Sequence, residues 1–161
     1  MRLVIQRAIS ASVTAIEQAR VTGAIDRGLL VLVGIESSDT DKDLEYCANK
    51  LVNLKLWSEV TDGPVRRQWK SSVMEVGGGV LLVSQFTLYA RTTKGTKPDF
   101  HRAMAGPDAR VMFDRFVEMV KTRYPGGYVG VGAFGEYMNV SLVNDGPVTI
   151  IVESPGNDGE K

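Results

Sequence analysis

The chain has 161 residues, 43% of them hydrophobic and 24% charged, the proportions of a soluble globular domain with one sizeable core. Its 19 basic residues balance 19 acidic ones, so no global field draws it to nucleic acid, and no apolar run reaches the length of a membrane span. A single cysteine (Cys47) and a single histidine (His101) exclude an internal disulfide and a His/Cys zinc centre, and any Ser-His-Asp triad would depend wholly on His101.

From the N-terminus, MRLVIQRAIS meets charged and polar side chains at Arg2, Gln6 and Arg7. It therefore reads as a strand and not as a secretory segment, and a cytoplasmic protein is expected. Residues 2–35 are predicted as β structure: 11–15 are rich in β-branched side chains, and 29–33 form the continuous apolar run of a buried strand. Asp26-Arg27-Gly28 is read as the turn between that strand and an earlier one. After Asp39 the period becomes helical. Leu44, Cys47, Ala48, Leu51 and Leu54 share a stripe, while Asp41, Asp43 and Glu45 suit the positive end of the helix dipole.

Asp62-Gly63-Pro64 is predicted as a turn and Gly77-Gly78-Gly79 as a hairpin connection, since these glycines lack the Lys-Ser/Thr pair of a phosphate loop. Residues 80–83 form a central strand that runs into Ser84-Gln85-Phe86-Thr87. Extended alternation there puts Ser84 and Phe86 on one side, Gln85 and Thr87 on the other. Residues 91–106 are predicted as a long basic loop, with Arg91, Lys94, Lys97 and Arg102 against Asp99, and a second basic cluster is Arg66, Arg67 and Lys70. Each is either a solvated loop or a phosphate footprint for an RNA end.

Pro107 opens a second helix whose buried face is Ala109, Met112, Phe113, Phe116, Val117 and Val120; Pro125-Gly126-Gly127 ends it. Residues 137–142 alternate as a strand, a turn follows at Asn144-Asp145-Gly146, and a last strand spans 148–152. Gly130 to Gly135 match G-x-G-x-x-G, but a strand follows where a dinucleotide site needs a helix, so that reading is rejected. The expected fold is a single α+β domain over residues 1–153, with a mostly antiparallel, barrel-like sheet and two main helices. Residues 154–161 are expected to be a disordered tail.

Four segments together resemble the D-aminoacyl-tRNA deacylases. Ser84-Gln85-Phe86-Thr87 resembles the family's SQxT signature, and Asn144-Asp145-Gly146-Pro147-Val148-Thr149 its NxGPxT signature. KGTKPDFHRAM (94–104) and GAFGEYMNVSLVNDGP (132–147) support them, and the likeness runs over about residues 1–152. It implies a cytoplasmic homodimer, without cofactor or metal, that hydrolyses the ester between a D-amino acid and its tRNA. Both active sites would lie at the subunit interface, with Gly146-Pro147 as a cis peptide reaching into the partner's pocket. Read without the resemblance, Gly146-Pro147 is an ordinary hairpin turn.

In the implied mechanism a rigid Gly146-Pro147 backbone wall rejects L side chains and admits glycine, which has none. Ser84, Gln85, Phe86 and Thr87 make the catalytic pocket. Thr87 lacks a neighbouring base in the sequence, so hydrolysis assisted by the terminal ribose 2′-OH is favoured over a Thr87 acyl-enzyme. Phe134 and Met138 are candidates for holding the terminal adenine, with core packing as the alternative for each. Lys94, Lys97 and Arg102 are candidates for the acceptor-stem phosphates, with no DNA or membrane partner expected. Residues 58–75 depart from the segment found in many family members and look more like the family's eukaryotic form. Two other readings stay open: a paralogue that removes L-alanine from mischarged tRNA, and a catalytically silent dimer that binds RNA ends.

Overall fold

A computed structural model describes residues 1–59 and 67–155. The chain runs β1 (Arg2–Ala15), β2 (Arg20–Ile25), β3 (Gly28–Gly34), α1 (Asp41–Asn53), β4 (Gly79–Ser84), a 3-10 turn (Phe86–Tyr89), α2 (Gly106–Arg123), β5 (Val129–Val131) and β6 (Met138–Glu153). The expected turn at Asp62-Gly63-Pro64, Arg66 of the second basic cluster and tail residues 156–161 lie outside the described residues.

β1 organises the sheet. One of its edges pairs antiparallel with β3 over residues 2–8 and with β2 over residues 11–15. Because β2 and β3 both run antiparallel to β1, they follow one another in the same direction. Asp26-Arg27 is therefore a kink in one long strand, not the reversal expected from its turn residues. The other edge of β1 pairs antiparallel with β6 along almost its whole length. β3, β4 and β5 are mutually parallel.

The sheet is thus mostly antiparallel, as expected, through the three β1 ladders, and the ladders beyond β3 are parallel. Parallel neighbours need crossovers. α1 supplies the one between β3 and β4, and α2 the one between β4 and β5. Gly77-Gly78-Gly79 leads out of the first crossover and is not a hairpin connection. A Cβ on Gly23 of β2 would stand 3.2 Å from the Val131 carbonyl oxygen, so the sheet curls until β5 approaches β2 and the barrel nearly closes.

The two faces of the sheet bury different clusters. Leu3, Ile5, Leu29, Val31, Val33, Val80 and Leu82 meet the helices through Leu44, Leu51, Phe113 and Phe116. Ala8, Ala11, Val13, Leu30, Leu81 and Val83 fill the inside of the curl. Both helices are built as their stripes predicted. Thr40 and Asp43 close a capping box on α1, and Pro107 lies in the first turn of α2, where a missing N–H costs nothing.

Cys47 is fully buried, and burial pushes its thiol up to about 12, so the thiolate that alkylating reagents need is suppressed. Cys47 is expected to react with iodoacetamide at pH 8.5 only under denaturing conditions, measured by mass shift. A Cβ on Gly28 would fall 1.9 Å from the Gly79 carbonyl oxygen, in the closest part of the β3–β4 ladder. Gly28→Ala is expected to cost about 1–3 kcal/mol in chemical denaturation.

Candidate functional site

Ligands of parallel sheets collect where strands end at their carboxyl termini. Here β3 ends near Val33 and Ile35 and β4 at Ser84, while the turn 133–136 follows β5. Between these ends, the 100–104 loop and the start of α2 lies a cavity of about 340 Å³. Its lining is chiefly apolar, from Val33, Ile35, Phe100, Met104 and Phe134. Its polar wall is the Ser84-Gln85 pair at the end of β4.

The strand stops at Ser84 and a 3-10 turn begins at Phe86, which breaks the alternation expected for this segment. Ser84, Gln85 and Phe86 therefore all line the cavity together. The Gln85 N–H donates to the Val33 carbonyl at 2.8 Å and fixes the chain as it leaves the sheet. Phe86 is 57% exposed and meets the Phe100 ring edge-on at 5.1 Å. Leu88 and Tyr89 pack beneath against Gly34, where a Cβ would stand 2.9 Å from Leu88 Cβ.

Thr87 is exposed, and its hydroxyl oxygen accepts from Gln85 Nε2 at 2.5 Å. A nucleophilic hydroxyl must also give its proton to a base. The chain's single histidine, His101, lines a separate small hollow with Asp99. His101 Nδ1 is paired with Asp99 at 2.5 Å, and hydrogen bonds from the His101 backbone and ring hold the Asp99 carboxyl below its ordinary value.

Phe134 forms the far wall of the cavity. Phe113 lies behind it at 5.6 Å between ring centroids, and the Arg110 guanidinium lies over it at 5.4 Å. Met138 is not in the cavity wall. Its sulfur packs by Gly132, and the side chain joins the cluster inside the curl. Arg102 is engaged with Glu36 at 2.5 Å, with its guanidinium 6.0 Å from the Tyr89 ring centre. Lys94 sits with Arg91, Thr93, Asp99 and His101 around a separate small hollow, and Lys97 is exposed on the same loop.

The second motif lies elsewhere on the chain. β6 is one continuous strand, and the turn expected at Asn144-Asp145-Gly146 is a bulge within it. Ala8 pairs with Asn144 and Gln6 with Thr149, so two steps on β1 face five on β6 and residues 145–148 leave the ladder. The Gly146-Pro147 peptide is cis, and Gly146 has φ +126°, a region that disfavours side chains.

Arg7, which the sequence reading passed over, holds this bulge. Its Nε lies 3.0 Å from an Asp145 carboxylate oxygen and donates to the Asp145 carbonyl at 3.2 Å, while Nη1 donates to the Leu56 carbonyl. Its charge was visible in the sequence, but among Arg2, Gln6 and the serines of the same strand nothing singled it out. Asn144 braces the bulge from inside, its Oδ1 accepting from the Val148 N–H at 2.7 Å.

Neither Gly146 nor Pro147 lines the cavity. Within one chain the bulge lies beside Arg7, whereas the cavity opens beyond Val33, which pairs with Leu3 at the other end of that ladder. Four residues of strand separate Leu3 from Arg7, roughly 13 Å at about 3.3 Å per residue. A single chain does not bring the two motifs together.

A family model described as D-Tyr-tRNA(Tyr) deacylase matches residues 4–153. A protein of Yarrowia lipolytica named D-aminoacyl-tRNA deacylase is 50% identical over 151 residues, covering 93% of this chain and 95% of its own. One of that name from Chlorobaculum parvum is 48% identical, covering 96% of this chain and 99% of its own. A solved structure titled c-Myc DNA Unwinding Element Binding Protein superposes with a TM-score of 0.87 at 41% identity, over 96% of this chain and 99% of that one. A second, titled as a probable eukaryotic D-amino acid tRNA deacylase, does so at 0.80 and 18% identity, over 95% of this chain and 98% of that one, and bears on the fold alone.

Asn144→Ala removes the brace on the Val148 N–H and is expected to cost about 1–2 kcal/mol in stability. Hydrogen exchange at Val148 is expected to accelerate while the β1–β3 ladder stays protected; unchanged exchange at Val148 contradicts the bracing role.

Proposed function

The chain belongs to the D-Tyr-tRNA(Tyr) deacylase family, hydrolases of the aminoacyl-tRNA ester bond, and we propose that it clears D-amino acids from tRNA at sites shared between two copies of itself. The observation that carries the shared site is the separation of its two motifs. Ser84, Gln85 and Phe86 face the cavity, and Gly146-Pro147 projects from a bulge at the other end of the β1–β3 ladder. If both act on one ester, the second must come from another copy, and a two-fold dimer supplies it to both cavities at once. A second observation fits. Among the described residues β6 pairs only with β1, which leaves the other edge of this sixteen-residue strand free with Val143 and Ile151 exposed, the surface a second copy would cover.

In this mechanism the terminal adenosine enters the apolar end of the cavity against Phe134. The ester carbonyl lies by Phe86 and Thr87, whose N–H groups open a 3-10 turn and have no partner inside it. Such donors stabilise a developing oxyanion, where loss of one typically costs about 3–4 kcal/mol. Gln85 fixes the Thr87 hydroxyl through its acceptor side, and among the described residues no hydrogen bond takes that hydroxyl's proton; Thr87 is therefore read as a wall of the pocket, with activation of water left to the neighbouring ribose 2′-OH. The partner's Gly146-Pro147 backbone closes the site against an L side chain, while glycine passes. Lys94, Lys97 and Arg102 lie on the loop whose Phe100 lines the cavity, placed to meet acceptor-stem phosphates.

The shared site is tested by mixing two lesions. Gln85→Ala damages the cavity of its own chain. Gly146→Val damages the bulge, because φ is +126° and a Cβ would stand 2.8 Å from the Val148 side chain. Each variant alone is expected to be inactive on D-aminoacyl-tRNA. Unfolded and refolded together, they form heterodimers with one intact site, and roughly a quarter of wild-type turnover is expected from two-fold symmetry. No recovery on mixing, with both variants folded, contradicts a shared site. Thr87→Ala is expected to lose less than about 100-fold in kcat, whereas a substrate ending in 2′-deoxyadenosine is expected to lose on the order of 1000-fold or more. The reverse ranking would restore Thr87 as nucleophile.

A further inference from the structure

The chain has two tryptophans on one pair of extended segments, and they are treated in opposite ways. Trp57 is 3% exposed and belongs to the core. Trp69 is 53% exposed and has φ +59°, a left-handed backbone that a bulky side chain rarely adopts. No core packing accounts for it. The backbone around it is held: Trp57 and Ser71 form a bridge, Lys70 N–H donates to the Trp57 carbonyl at 2.8 Å, and Glu59 N–H donates to the Arg67 carbonyl at 2.8 Å. Residues 67–70 are all exposed. The Trp69 ring is thus offered to solvent between Arg67, whose guanidinium pairs with half-buried Glu59 at 3.2 Å, and Lys70.

We propose that Trp69, with Arg67 and Lys70, is a stacking platform for the unpaired nucleotides that precede the terminal adenosine of the tRNA. An exposed aromatic ring between cations is the arrangement that binds single-stranded nucleic acid without regard to base identity: the ring takes a base face and the cations take the phosphates. Its place follows from Arg7, which bonds Leu56, next to the Trp57 segment, and Asp145 of the bulge. The platform and Gly146-Pro147 are therefore carried on neighbours of one arginine. The inference rests on the shared-site reading above: where the bulge enters a partner's cavity, the platform arrives at that cavity's rim, on the path of the incoming 3′ end.

The test compares two substrates, D-tyrosyl-tRNA and the D-tyrosyl ester of adenosine alone, which lacks the preceding nucleotides. Trp69→Ala is expected to lose about 5- to 100-fold in kcat/KM on the tRNA, mostly through KM, with the loss confined to that substrate. Trp69→Phe, which keeps a ring, is expected to restore most of it. Equal kinetics of Trp69→Ala and wild type on tRNA, an equal loss on both esters, or a change in oligomeric state each overturns the platform. If wild-type protein hydrolyses neither ester, the deacylase reading fails, and binding decides the platform by itself. A short RNA ending in CCA should quench tryptophan emission in the wild type and not in Trp69→Phe, since Trp57 is buried; equal quenching in both overturns it.

Discussion

A fourteen-residue strand inside a protein must pair both rows of its N–H and C=O groups, at a cost of about 1–3 kcal/mol for each one buried and unpaired. β1 does so by taking β3 and then β2 along one edge and β6 along the other. It must also change the core it serves: Leu3 and Ile5 face the helices, whereas Ala8, Ala11 and Val13 face the inside of the curl. The irregularities of the β1–β6 ladder fall at Gln6/Ala8 and Ala8/Ser10, where that change is made. The bulge that displays Gly146-Pro147 is the β6 side of the same accommodation, and Arg7 stands on the β1 side to hold it.

The cavity has a separate origin. Parallel pairing of β3, β4 and β5 forces the chain out of the sheet at the same end three times, and each exit turns away in a different direction. The gap they leave is floored by strand ends and walled by the 3-10 turn, the 100–104 loop and the first turn of α2. Both helices pack on one face of the sheet, and the first turn of α2 reaches the cavity itself. Chemistry resting on backbone N–H groups suits this place, because the donors are fixed by the sheet and need no titrating side chain.

Periodic features were legible in the sequence. Both helices, the buried strands at 29–33 and 80–83, and the rejection of a dinucleotide site at Gly130 to Gly135 follow from spacing alone. What failed was direction. Asp26-Arg27-Gly28, Gly77-Gly78-Gly79 and Asn144-Asp145-Gly146 all carry turn residues, yet the first is a kink, the second leaves a crossover and the third bulges inside a strand. Glycine and aspartate mark where a backbone departs from regularity, not whether it reverses. The grouping of Ser84, Gln85 and Phe86 on one wall was hidden for a similar reason, since alternation ends where the 3-10 turn starts. Trp69 and Arg7 were visible as residues, but their roles depend on long-range neighbours that no local pattern records.

On the proposed mechanism this scaffold hydrolyses the ester of a D-amino acid on tRNA and spares the L-ester. D-tyrosyl-tRNA and L-tyrosyl-tRNA, incubated side by side with catalytic amounts of the purified protein, test it most directly. Rapid release from the D-ester with the L-ester intact is the predicted result. Equal rates on the two, or no release from either, would rule out a chiral deacylase.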